Sequence, residues 1–422
     1  MTDRRLVSHV LRRLTFGPTA AEVDAAVRDG LEPTVARLLA PAGVPDLPSP
    51  GADPVAALGR GASREDRQRA RQAAQAQVAD AVAWWLGRMA AGGTAAEKLT
   101  FFWHGHWATS VRKVRSAGLM LRQQQTFRRY GPGATGPLVR AMLRDPALIL
   151  WLDGQRNTRK APNENLAREV MELFTLGVGH YTEQDVKAAA RVLTGWQIDR
   201  AAGTSRLAAG RHATGPVTLL GRTGELDVDG FADLLVRHPA HVPFLAGRVW
   251  LRYGSGDQPV PAALTAVGND VTAMLRTLAL DPGFAATAGH LVKQPIEWVV
   301  GAVRQLGVDP SKGRKPILAG LRALGQVPLR PPSVGGWPAG EAWLTTAAAQ
   351  ARLRTGQALT ALAPAAVRQL AETAEGDRLD ALAALLAVDA WSDRTAAVLE
   401  PVAEQPQRLL ALALATPEYT VH

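Results

Sequence analysis

Along most of the chain, apolar positions recur every three to four residues, the period of a helix buried on one face. LVSHVLRRL predicts a first amphipathic helix from Arg4 to Leu14, closed by Gly17-Pro18. Thr19 followed by Glu22 has capping-box spacing and starts a second helix. Four prolines and two glycines between Pro41 and Asp53 make that stretch a loop. Asp53-Pro54 then reads as an N-cap and first helical position. The helix that follows runs to about Met89, either unbroken or divided around Gly59 to Ala62, and carries Trp84, Trp85 and Leu86.

Past Gly92-Gly93, Thr94 with Glu97 predicts another capping box and a helix running into LTFFWHGHW. Helices are expected at 114–129, 135–143, 163–176 and 182–196, the last capped by Thr182 with Asp185. Short glycine-bounded runs between Ser205 and Gly224 predict a small β-hairpin. Helices resume from Val228, at 260–280 and at 292–306, and Val327–Gly340 is a Pro- and Gly-rich loop. The fold class is therefore mostly α, a multi-helix globular fold with one small β-hairpin near residues 205–224. Three regions are expected: 1–93, a core at 94–340, and an Ala/Leu-rich helical region at 341–422 packing on that core.

Composition narrows the chemistry. With no cysteine, disulfides, thiolate metal sites and cysteine nucleophiles are excluded. No stretch approaches the roughly 18 apolar residues that cross a bilayer. The N-terminus lacks the apolar run of a secretory signal, so a cytoplasmic location is expected, export with a partner remaining open. Net charge is +10, and the window from Arg112 to Lys160 alone carries +9. Such a window is either a solvated arginine-rich surface or a landing site for an anionic small molecule or glycan, with Arg112, Lys113 and Arg115 at its start. Few aromatics interleave those charges, which argues against single-stranded nucleic acid as the partner.

The densest polar pattern lies between Pro162 and Trp196. Asn165, Arg168, Glu169 and Glu172 recur at i, i+3, i+4 and i+7, which stacks them on one helix face beside the Asn163-Glu164 turn. That face is either solvated, with Arg168 paired to Glu172, or the wall of a polar cavity in which one glutamate acts as base. His104 and His106 could share a divalent metal if the helix ends near His104, and His212 could complete the ligand set. The alternative is that both are structural histidines in an aromatic setting. No phosphate loop, dinucleotide fingerprint, HExxH or GxSxG is present.

The motifs LRRLTFGPT, KLTFFWHGHWATS, RDPALILWLDGQRN, PNENLAREVMELFTLG, LVKQPIEWVV and PPSVGGWPAGEAWL together resemble the DUF1800 family, bacterial proteins of unknown function. The resemblance implies a neighbour of the DUF1501 family as a partner, and in many members an export signal that this chain lacks. It also implies His-Asp where this chain has His212-Ala213. Three functions follow as expectations: a metal-dependent hydrolase of an anionic substrate, a non-catalytic scaffold working with that neighbour, or a polyanion binder.

Overall fold

The computed structural model describes residues 3–59 and 61–422; Met1, Thr2 and Arg60, the last within the predicted break at 59–62, lie outside them. The described chain is mostly helical, with two separate two-stranded antiparallel sheets. No helix in it is long and apolar enough to cross a membrane.

Local sequence rules account for most of the boundaries. The first helix is Arg4–Leu14, with Asp3 accepting from the Arg5 N–H, and Thr19 and Glu22 form both halves of their capping box. Asp53 accepts from the N–H groups of Val55 and Ala56 but supports only a turn. The long helix starts later, at Arg64–Ala91, where Ser63 and Asp66 supply a full capping box beyond the conformationally costly Gly59 and Gly61.

The box predicted at Thr94 does not form: at the start of the helix Ala96–His106 the Thr94 hydroxyl accepts only from the Ala96 N–H, at 3.3 Å. Glu97 is drawn inward instead, accepting from the Trp85 indole at 2.8 Å and from Arg128 at 2.7 and 3.1 Å. A buried charge-assisted contact outweighs a cap contributing about 1 kcal/mol.

The predicted hairpin is two hairpins. Trp196–Asp199 pairs with Thr204–Leu207, and Val217–Leu219 pairs with Arg222–Gly224. The helix before them, Glu183–Val192, stops short of Trp196 because Gly195 turns the chain at φ +92. In the second hairpin both loop residues, Leu220 and Gly221, have positive φ, the two-residue turn that matches strand twist.

Two apolar clusters make up the core. The helix Ala96–His106 lies between them, giving Leu99, Phe102 and Trp103 to one and Phe101 to the other. Its polar side chains are buried with it and must find partners. Lys98, 1% exposed, reaches Glu297, 2% exposed, at 2.6 Å, and Arg252 meets the same carboxylate oxygen at 3.0 Å. The other oxygen accepts from the Gln294 N–H at 2.8 Å and caps the helix Pro295–Gln305.

Candidate functional site

The polar stretch folds as an α-helix, Asn165–Glu169, that widens into a π-helical segment, Val170–Thr175. The Leu176 N–H bonds the Met171 carbonyl at 2.8 Å and the Thr175 hydroxyl bonds that of Val170 at 2.6 Å, both five residues back. The turn before it hangs on Asn157, which is fully buried. Its side chain accepts from the Asn163 N–H at 2.9 Å and donates to the Ala190 carbonyl at 2.7 Å. Asn163 in turn accepts from the Asn165 N–H, and Asn165 donates to the Leu152 carbonyl.

The expected Arg168–Glu172 pair does not form. Arg168 makes a bidentate pair with Glu183 at 2.7 and 2.9 Å and a second contact with Glu164 at 3.2 Å. Glu172, rotated by the wider π turn, accepts from the Tyr181 hydroxyl. Glu169 is half-buried, and burial, followed by repulsion from Glu172, raises its pKa above the ordinary carboxylate range. A raised carboxylate beside a second one can hold and release a proton, as a general acid or base must.

The three histidines are placed apart in their contacts. The helix continues through His106, so His104 and His106 point about 200° apart instead of converging. His104 accepts at Nε2 from the Leu329 N–H at 3.0 Å. A neutral ring with one accepting nitrogen carries its proton on the other, so the Gln124 amide, 3.2 Å from Nδ1, must turn its oxygen toward the ring to accept from it. His106 donates from Nε2 to the Phe174 carbonyl at 2.8 Å, and His241 donates from Nδ1 to the Thr175 carbonyl at 3.0 Å. Those two carbonyls close the π segment, and buried imidazoles satisfy them where no following turn can. His212 is held by Thr194, donating from Nδ1 to its carbonyl at 2.9 Å. Among the described residues no three His, Asp or Glu side chains gather to hold a metal ion.

Burial holds His9, His104 and His106 neutral, and that carries a pH signature. His9, His104 and His106 are each lowered to about 3, chiefly by desolvation. Between that value and 6.5 the unfolded chain binds protons that the folded chain refuses. The contribution of these rings is therefore fully present above pH 6.5 and is lost as pH drops through the window. Asp145, raised to about 6 by burial, and Glu169, also raised, oppose this, while His238, His241 and His422, lowered as well, add to it. At about 1.4 kcal/mol per pH unit for each uncompensated proton, the melting temperature should fall steeply between pH 6.5 and 4.5. A flat melting profile across that range would contradict neutral buried rings.

The basic window disperses. Lys113 pairs with Asp153, Arg128 with Glu97, Arg140 with Asp233 and Arg144 with Asp229. Arg112 and Arg115 behave differently: with Arg71 and Arg330 they line a pocket of about 380 Å³ floored by Val78 and Val111. None of these four arginines is in an ion pair among the described residues, and no acid lines the pocket. Burial, followed by repulsion from Arg112, lowers the pKa of Arg330. Arg115 at φ +54 and Leu329 at φ +65 hold non-glycine backbone in the left-handed region on either side of it. Arg71 and Arg330 lie far from the window in sequence, and no local signal joins them to it.

Fold and contacts together define a predominantly helical protein that ties its π-helical segment to buried histidines and gathers unpaired arginines in one pocket. The chain belongs to the DUF1800 family, described as a protein of unknown function, whose model matches residues 9–421. No curated protein and no solved structure matches it.

Proposed function

We propose that the protein binds a multiply charged anion, with a phosphorylated or acidic saccharide as the ligand class, in the pocket of Arg71, Arg112, Arg115 and Arg330. The observation that carries this reading is four guanidiniums around one pocket with no acid in its wall. Like charges brought together without counter-ions repel, and an anion relieves that repulsion while accepting bidentate hydrogen bonds. The strained backbone at Arg115 and Leu329 supports the same reading, since such geometry persists where a site requires it. The catalytic reading of Asn165, Arg168, Glu169 and Glu172 has less support, because Arg168 is already committed to Glu183 and Glu164.

Calorimetric titration with pyrophosphate and with glucose 6-phosphate tests the proposal. Arg330→Ala should weaken binding roughly ten-fold or more, the loss of one charge-assisted contact worth about 1.5 to 3 kcal/mol. Affinity should also fall as salt is raised from 20 to 300 mM, about the range over which screening closes in on the pocket. No binding of either anion at low salt, or an Arg330→Ala protein that binds as well as the parent, overturns it.

A further inference from the structure

We propose that the cleft beside His106 is a second ligand site, separate from the arginine pocket, and that it takes a small hydroxycarboxylate. The cleft, about 100 Å³ in volume, is lined by His106, Arg248, Arg252, Gln294, Trp337 and Phe101 among others. It opens to solvent past the exposed Leu251 and Ala339.

Each polar group on its wall specifies what a ligand must bring. Arg248 has no hydrogen-bond or ion-pair partner among the described residues, and burial alone lowers its pKa. Among the described residues no aspartate or glutamate lines the cleft to serve it. A second unpartnered donor is buried on Arg252, at Nη2. The Trp337 indole N–H is buried and also has no partner. These groups can only donate, and two of them are cationic, so they call for an anion rich in acceptors.

His106 asks for the opposite. Its Nε2–H is spent on the Phe174 carbonyl and its ring is neutral, so buried and unpartnered Nδ1 can only accept. A bare carboxylate leaves that nitrogen empty. A hydroxyl next to the carboxylate fills it, giving one molecule with two acceptor oxygens for Arg248 and one donor for His106. The aromatic frame is rigid: Phe101 stacks on Trp337 at 5.2 Å and Phe102 on His106 at 5.8 Å. The small volume limits the ligand to a few heavy atoms, the size of glycolate or lactate.

The probes are glycolate, acetate and inorganic phosphate, titrated into the full chain by calorimetry at pH 7. Glycolate should bind at least ten-fold more tightly than acetate. Arg248→Met should abolish glycolate binding while leaving pyrophosphate binding at Arg330 intact, which separates this site from the first. Trp337→Phe keeps the aromatic wall, removes only the indole donor and should weaken glycolate several-fold; it carries the test alone if Arg248→Met fails to fold by circular dichroism. Acetate matching glycolate, phosphate exceeding it, or glycolate binding that survives a folded Arg248→Met or is unaffected by Trp337→Phe overturns the assignment, as does no glycolate binding at all.

Discussion

Glu297→Gln should cost the protein about 3 to 5 kcal/mol of stability, the loss typical when one partner of a buried ion pair is removed. Its carboxylate is 2% exposed and lies 2.6 Å from Lys98 and 3.0 Å from Arg252. Against a desolvation that would raise it, those two cations hold its pKa down to about 2, and Lys98 itself is lowered to about 7, chiefly by burial. Lys293 is buried in the same region, its ammonium 3.8 Å from the Tyr419 ring centre, and burial lowers it to about 7 as well. Removing this acid strands an excess of positive charge with no water to solvate it. Arg13 keeps its backbone acceptors at Gly254 and Thr287, so the damage should centre on Lys98 and Arg252. Urea denaturation of the parent and of Glu297→Gln, Lys98→Met and the double variant checks this. The double variant should lose less than the two single losses added together, because the partners share one interaction. A Glu297→Gln protein within about 1 kcal/mol of the parent would remove the buried charge cluster from the account of stability.

Gly336→Ala should be the most disruptive single-methyl change in the loop from 327 to 340. The glycine sits at φ +85, and an added Cβ would lie 2.4 Å from the Gly105 carbonyl oxygen. Backbone strain and forced overpacking each cost about 1 to 3 kcal/mol, and here both fall on one residue. Because Gly105 belongs to the rigid helix Ala96–His106, the loop has to move, taking the adjacent Trp337 off Phe101. A melting temperature lowered by several degrees, together with lost glycolate binding, is the expected result. Gly335→Ala is the control for stability alone, since Gly335 also lines the cleft: its added methyl would meet only the Ser333 hydroxyl at 3.7 Å, and the melting temperature should barely move. Equal behaviour of the two variants would show that the loop is not pressed against that helix.

Much of the fold was legible because its signals are local. The capping boxes at Thr19 and Thr182, the amphipathic helix Arg4–Leu14 and the proline-rich loop from 41 to 53 follow from residues within one turn of each other. The Arg168 partner was misread as Glu172. A glutamate four residues before an arginine suits the helix dipole better than one four residues after, which favours Glu164 over Glu172, but nothing local points to Glu183. Glu97 and Asp53 show local preference losing to tertiary contact and to a stronger cap further on. The candidate pockets were hidden for a different reason. Arg330 joins Arg112 across more than two hundred residues, and Arg248 occupies an ordinary position in the amphipathic helix His241–Tyr253. Spacing rules carry no information about such encounters.

One stretch of chain serves both proposed sites. Arg330 lines the arginine pocket, Trp337 walls the cleft beside His106, and the chain is fastened next to each, where the Leu329 N–H meets His104 and where Gly336 abuts Gly105. A ligand that repositions this segment in one pocket repositions a wall of the other. Thermodynamic reciprocity then makes the effect symmetrical: if pyrophosphate alters glycolate affinity by some factor, glycolate alters pyrophosphate affinity by the same factor.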